Sequence, residues 1–176
     1  VDHDAAGVDQ PLGLAPAECG AIVRTLMRAS GGGGMIGGQL LDLEAEGVHL
    51  SLEAMERVHR LKTGALIAAS VELGAQAARA SDQRRRALAH YGAAIGLAFQ
   101  IADDVLDLTA TTDELGKTAG RDLALAKSTY PALLGVQGAI ERAAALVEEA
   151  CAALAVEGLL TPTLEQLARY IVERRS

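Results

Sequence analysis

The sequence predicts an all-α protein, because its composition, its patterning and its breaks all favour helices. Half of the 176 residues are hydrophobic, yet aromatic residues make up only 2%. Ala and Leu, both abundant, are strong helix formers, and no alternation rich in β-branched and aromatic residues indicates a strand. The length suits one domain. We therefore predict a single helical domain over residues 1–176, with a loop at 1–15 and helices from 16 onward.

Glycine separates the first two predicted helices. Pro16 and Glu18 suit the start of a helix, which we expect to end near Ser30. Six glycines follow within residues 31–38. Because each glycine costs a helix about 1 kcal/mol relative to Ala, the cluster indicates a bend or a close approach of two helices rather than a ligand contact. A short helix is predicted over 39–46.

The remaining helices are longer and have recognisable starts. Ser51 is a good N-cap, and so is Thr161, which precedes Pro162. Ser128 or Thr129 serves the helix between them. The polar stretch 109–122 contains two glycines and predicts a loop. We predict these longer helices over residues 52–78, 81–108, 128–155 and 161–175.

Charge and cysteine content argue against several classes of function. Acidic residues outnumber basic ones by 23 to 16, which gives a net charge of -7 and disfavours nucleic acid or an anionic membrane as a partner. Cys19 and Cys151 are too isolated for a disulfide framework or a zinc site, so a reducing cytoplasm fits best. No apolar run reaches the roughly 20 residues that span a bilayer, and we expect no transmembrane segment.

An acidic stripe on an apolar helix carries the clearest functional signal. Four polar residues of the segment GLAFQIADDVLD have the spacing i, i+3, i+4, i+7 and share one helix face: Gln100, Asp103, Asp104 and Asp107. Three carboxylates this close repel one another unless a cation lies between them. Magnesium prefers such oxygen ligands together with phosphate oxygens. We therefore predict a magnesium-diphosphate site, with a plain solvated face as the alternative.

Three lysines are candidate ligands for that diphosphate. Lys62 lies beside Thr63 in an otherwise apolar helix, and Lys117 follows the acidic helix. Lys127 precedes a helix start, where free backbone N–H groups and the helix dipole favour an anion. A single lysine of this kind is more often a surface residue. Together, the three supply the positive charge that a diphosphate requires.

Two other polar features leave alternatives open. Gln39, Asp42 and Glu46 form a second stripe, which is either a surface face or, for Gln39 and Asp42, part of the same cavity. His49, His59 and His90 lack metal-ligand spacing, and we predict a structural or surface role for each.

The motifs resemble a known family. The run from Phe99 to Gly135, FQIADDVLDLTATTDELGKTAGRDLALAKSTYPALLG, resembles the second aspartate-rich region of trans-isoprenyl diphosphate synthases (polyprenyl synthetases), above all the bacterial farnesyl diphosphate synthases. Residues 37–47 and 57–75 also resemble the family in order and spacing. The likeness implies an isoprenoid synthase-type helical bundle. It also implies that N-terminal helices carrying a first aspartate-rich motif are missing, so we expect residues 1–176 alone to be inactive.

The resemblance further implies an activity and residue roles. The reaction is condensation of isopentenyl diphosphate with dimethylallyl or geranyl diphosphate to give a longer isoprenyl diphosphate, farnesyl diphosphate being the expected product. The magnesium ligands implied are Asp103, Asp104 and, in support, Asp107. The catalytic residues implied are Lys62, Thr63, Gln100, Asp103 and Lys127, and the substrate-binding residues are Lys62, Thr63, Gln100, Lys117 and Lys127. The family also implies a homodimer.

Two rival interpretations stay open at this stage. One is a non-catalytic, prenyl-synthase-like subunit or helical interaction module, which would be expected to lose the acidic stripe, because buried carboxylates without their metal are unfavourable. The other is a class I terpene cyclase, which the lysine pattern disfavours. A second aspartate-rich run upstream in the encoding reading frame would favour the enzyme.

Overall fold

A computed structural model describes residues 13–109 and 128–174, and every regular element in these ranges is helical, which confirms the predicted fold class. No described helix combines the length and the apolar character needed to cross a membrane. The α-helices are α1 (Pro16–Ser30), α2 (Met35–Glu44), α3 (Leu52–His59), α4 (Ala65–Ala77), α5 (Asp82–Thr109), α6 (Tyr130–Val156) and α7 (Pro162–Glu173), and a π-helical turn, Arg60–Gly64, joins α3 to α4.

Helix α5 lies at the centre of the bundle. It packs most extensively against α6, and also contacts α4, the π-turn and α7. Small residues allow the close approach of α5 and α6, with Ala98 and Ala139 fully buried between larger side chains. The buried Tyr91 hydroxyl donates a hydrogen bond to the Leu164 carbonyl at 2.8 Å, which ties α7 to α5. This arrangement fixes the acidic end of α5 within the bundle.

Side-chain N-caps lie at the helix starts that the sequence predicts. The hydroxyl oxygens of Ser51, Thr129 and Thr161 each accept a backbone N–H from the third residue onward, at 3.3, 3.4 and 3.3 Å. Thr129 is therefore the cap of α6. Ser128 has a different role, because its Oγ accepts the Leu50 N–H at 2.9 Å and links the start of α6 to the start of α3.

The glycine cluster brings backbone segments together, as predicted. A Cβ atom on Gly34 would lie 2.0 Å from the Ala29 carbonyl oxygen, and one on Gly38 would lie 2.2 Å from the Lys62 backbone nitrogen. Neither position has room for a larger residue. The prediction that the second helix starts at residue 39 was wrong: α2 begins at Met35, because the glycines here pack instead of ending the helix.

The helix predicted over 52–78 is continuous from Leu52 to Ala77, but it contains a π-turn that the prediction did not include. The π-turn, Arg60–Gly64, adds a residue to one helical turn without breaking the helix. Gly38 contacts this turn from α2, and a Cβ on Gly96 of α5 would lie 2.9 Å from the Gly64 Cα. The π-turn thus coincides with close backbone approaches of two neighbouring helices.

An ion pair joins the C-terminal end of α4 to the start of α1. Arg79 follows α4, and its Nε lies 2.6 Å from Glu18 Oε1 near the start of α1. The hydrogen bond from Arg79 lowers the pKa of Glu18 to about 2. Because the pair is exposed to solvent, it orients α1 against α4 more than it stabilises the fold.

Candidate active site

The π-turn presents Lys62 and Thr63 toward neighbouring helices. Such turns occur frequently at functional sites. The Lys62 ammonium lies 2.7 Å from Asp42 Oδ2 of α2, and the two side chains are 35% and 16% exposed. The sequence left Asp42 open between a surface and a cavity role. In the structure, Asp42 lines the same polar cavity as Lys62 and holds Lys62 by the ion pair. Gln39 is exposed, which favours the surface alternative for that residue.

A chain of hydrogen bonds runs from the π-turn to the start of α6. The Thr63 hydroxyl donates to Gln100 Oε1 at 2.9 Å. Gln100 Nε2 donates to Asp104 Oδ1 at 3.1 Å, and the Tyr130 backbone N–H donates to Asp104 Oδ2 at 3.0 Å. We call this the Thr63–Tyr130 relay. It connects three elements through two residues of the acidic stripe.

Asp104 is the most enclosed carboxylate of the stripe. It is only 5% exposed, and its hydrogen bond to the Tyr130 N–H places it at the N-terminus of α6. Free N–H groups and the helix dipole stabilise a negative charge at that position. The predicted role of Asp104 as a magnesium ligand stays a prediction.

Asp103 lies at the exposed edge of the stripe, where a cationic side chain contacts it. Its side chain is 42% exposed, and Arg174, which directly follows α7, donates a hydrogen bond to Asp103 Oδ1 through Nη2. The Arg174 guanidinium carbon also lies 4.2 Å from the centroid of the Phe99 ring, a favourable cation–π geometry. The edge of the stripe therefore attracts a positive group.

A small polar cavity opens beside the relay. Its volume is about 80 Å³, which is room for a few waters or part of a polar ligand group. Polar and charged side chains from α2, α3, the π-turn and α5 surround it, among them Asp42, His59, Lys62, Gln100 and Asp104. The structure thus brings together three of the predicted site residues, Lys62, Gln100 and Asp104, and joins Thr63 to them through Gln100.

His59 also lines the cavity, and its ring centroid lies 5.7 Å from that of Tyr130. Burial, and to a lesser degree the Glu56 carboxylate, raises the pKa of the Tyr130 hydroxyl, so this group stays neutral at physiological pH. The sequence missed His59 and Arg174. His59 has no motif around it, and Arg174 is separated from Asp103 by 71 residues, so only the fold brings that pair together.

The predicted set of magnesium ligands stays a prediction. Within residues 13–109 and 128–174, no three acidic, His or Cys side chains converge as a preformed metal centre. Asp107 lies one turn beyond Asp103 on the same face of α5. Magnesium is commonly bound by one or two carboxylates together with substrate phosphates, and Asp103 and Asp107 fit that arrangement. Lys117 and Lys127 lie outside the described residues.

Relatives of known class match most of the chain. The model of the polyprenyl synthetase family matches residues 17–157. The farnesyl diphosphate synthase of Escherichia coli is 51% identical over 160 residues, which cover 88% of this chain and 53% of that protein. The corresponding protein of Haemophilus influenzae is 42% identical over 158 residues, with 89% and 53% coverage. The chain thus spans about half the length of the curated relatives it matches.

Solved structures show the same fold. The geranyltransferase of Helicobacter pylori, in complex with magnesium and isoprenyl diphosphate, superposes with a TM-score of 0.74 at 32% identity, covering 90% of this chain and 52% of that one. The geranyltransferase of Legionella pneumophila gives a TM-score of 0.77 at 34% identity, with 92% and 52% coverage. By its sequence, its bundle and its relatives, this chain belongs to the polyprenyl synthetase family.

Proposed function

We propose that the protein is a magnesium-dependent trans-prenyltransferase that condenses isopentenyl diphosphate with dimethylallyl or geranyl diphosphate, with farnesyl diphosphate as the product. One observation carries the proposal: Lys62, Gln100 and Asp104 line one cavity, and Asp103 lies on the same helix face. The 51% identity to a farnesyl diphosphate synthase supports the product. A homodimer in the cytoplasm, which the family implies, belongs to the same proposal.

The chemistry requires charge stabilisation on the leaving group. The allylic C–O bond breaks, the double bond of isopentenyl diphosphate attacks the resulting cation, and a proton is lost. Lys62 offsets negative charge on the departing diphosphate, and Lys117 and Lys127 are proposed to do the same. Magnesium, which Asp103 and Asp107 would hold, would supply further positive charge at the diphosphate when bound.

The apolar bundle protects the allylic cation that ionisation produces together with the diphosphate. An allylic cation reacts with water, so the site must exclude water while it stabilises positive charge. Thr63 and Gln100 offer oxygen atoms without a competing negative charge. Their mutual hydrogen bond of 2.9 Å holds both oxygens in place, and this preorganisation is what a short-lived cation needs.

The decisive experiment removes the exposed carboxylate. In the complete reading frame that encodes this chain, Asp103→Ala should lower turnover of isopentenyl and geranyl diphosphates by about 10²–10³-fold, because it removes charge that holds the metal against the leaving group. Asp82→Ala, at the far end of the same helix, is the control and should keep wild-type turnover. Equal rates in Asp103→Ala and wild type would refute the site assignment.

Residues 1–176 contain one of the two aspartate-rich motifs that the family resemblance requires, so we expect this stretch alone to be inactive in the same assay. A measurable rate from it would show that a single motif suffices.

A further inference from the structure

We infer that Asp104 is a positioning residue, not a magnesium ligand: it sets the direction of the hydrogen bonds in the Thr63–Tyr130 relay, so that Thr63 presents only an acceptor oxygen to the allylic cation. The inference rests on the proposed function, because it assigns a task in that reaction. It divides the acidic stripe into an outer part that meets the metal and an inner part that holds the amide of Gln100.

Both oxygens of Asp104 are already in use within the protein. Oδ1 accepts from Gln100 Nε2 at 3.1 Å, and Oδ2 accepts from the Tyr130 N–H at 3.0 Å. A metal at either oxygen would have to share it with the hydrogen bond already made there, at a carboxylate that the bundle encloses. Asp104 is 5% exposed, whereas the side chain of Asp103 is 42% exposed. Asp103 is therefore the accessible carboxylate.

The direction of the relay follows from the chemistry of its end group. An ionised carboxylate only accepts hydrogen bonds, so Gln100 must turn its NH₂ group toward Asp104 and its carbonyl oxygen toward Thr63. A carbonyl oxygen also only accepts, so the single hydroxyl proton of Thr63 points to Gln100. The two ends of an amide have nearly the same shape, and packing alone would not select this orientation.

The consequence lies at Thr63. Its proton is committed to Gln100 at 2.9 Å, so only oxygen lone pairs remain for a neighbouring group. Lone pairs stabilise developing positive charge, whereas a hydroxyl proton in the same place would oppose it. The buried charge of Asp104 thereby acts at the reacting centre through two neutral side chains, without meeting the substrate.

A conservative exchange should reverse the relay. In Asp104→Asn, the Asn oxygen must still accept the Tyr130 N–H, so its NH₂ group faces Gln100. The Gln100 amide then flips, and its NH₂ group donates to Thr63, whose proton is released toward the cavity. A second exchange, Gln100→Glu, repairs the direction: a Glu carboxylate at position 100 accepts from both neighbours, and Thr63 again donates. The double variant carries the same total charge as the wild type.

Three measurements test the inference. For turnover in the complete reading frame, Asp104→Asn should lower kcat by about 10–100-fold, as for other residues that orient a functional group, with KM for the allylic diphosphate nearly unchanged. Adding Gln100→Glu to Asp104→Asn should recover most of that loss. A double variant no faster than Asp104→Asn, against an active wild type, would overturn the inference alone.

The second measurement concerns the metal, with Mn²⁺ as the probe in a calorimetric titration. Asp104→Asn should keep the wild-type affinity within about three-fold, whereas Asp103→Asn, the matched exchange one residue earlier, should weaken it by about ten-fold or more. An equal loss in both variants would make Asp104 a ligand and overturn the inference.

The third measurement concerns folding and needs no activity. Gln100→Glu should strongly lower the folding equilibrium constant of the wild type, because two carboxylates then face each other, and should do so much less in Asp104→Asn; double-mutant cycles isolate this coupling. No coupling would overturn the inference. A wild type without any prenyl transfer would instead overturn the proposed function, so the two failures are distinguishable.

Discussion

At the scale of single residues, the contact between Arg174 and Asp103 is the most informative one. A guanidinium bound to the exposed carboxylate of the stripe occupies the position at which we propose that a divalent cation binds. The same guanidinium stacks on Phe99, so Arg174 has a second interaction that holds it in place. On that proposal, the Arg174 guanidinium and the metal would compete for one oxygen atom of Asp103.

We predict that Arg174→Gln raises the affinity of the protein for Mn²⁺ about three- to ten-fold, because it removes a competing cation worth about 1 kcal/mol at a partly exposed pair. Isothermal titration with Mn²⁺ measures the change. Arg169→Gln, within α7, is the matched control: it also removes one positive charge, but the partners of Arg169 are Glu148 and Glu165. Equal affinities in wild type and Arg174→Gln would show that the two cations do not compete.

At the scale of elements, the approach of α2 to the π-turn decides where Lys62 lies. Gly38 has no room for a side chain, since a Cβ there would lie 2.2 Å from the Lys62 nitrogen and 2.6 Å from its Cα. Both neighbouring atoms belong to the backbone, so rotamer changes would not relieve the contact. The ion pair between Lys62 and Asp42, four residues beyond Gly38 on α2, depends on the same approach.

We predict that Gly38→Ala destabilises the protein by about 1–3 kcal/mol, the range for overpacking a tight contact, and weakens binding of inorganic diphosphate by displacing Lys62. Gly74→Ala is the matched control, because Gly74 lies in α4 with no atom near its hypothetical Cβ. That exchange should stabilise the protein by up to about 1 kcal/mol through helix propensity. Urea denaturation measures the free energy of unfolding of both variants. A neutral Gly38→Ala would mean that the two elements are further apart than described.

The elements also show which features a sequence can predict. Helix starts at Ser51 and Thr161 depend on a side chain three residues from its partner, and local patterns were enough to place them. The π-turn packs closely against Gly38 and Gly96, which lie far away in sequence. Periodicity over 52–78 therefore predicted the helix but not the π-turn within it.

At the scale of the whole molecule, the site is assembled from segments distant in the chain. Asp42, Lys62 and Gln100 come from three different elements, and the relay ends on the Tyr130 backbone. Helical periodicity placed Gln100 and the three aspartates on one face of α5, but their division into an exposed and a buried part depends on α6 and α7. Only the packed bundle determines which carboxylate meets solvent.

Because the site is assembled from several elements, a ligand that binds there should raise the stability of the whole protein. A ligand that contacts α2, the π-turn and α5 together binds the folded state alone, and at 100 times its Kd it stabilises a protein by about 2.7 kcal/mol. For a chain of this size, that corresponds to a rise in Tm of roughly 5–10 °C.

We predict this rise for magnesium and inorganic diphosphate added together, and a much smaller one for either alone, because the metal needs phosphate oxygens to complete its coordination. Thermal unfolding followed by circular dichroism measures the shift, and addition of EDTA should reverse it. In Asp103→Asn, the joint effect should fall to the sum of the separate ones; a full rise in that variant would show that magnesium and diphosphate bind somewhere other than the acidic stripe.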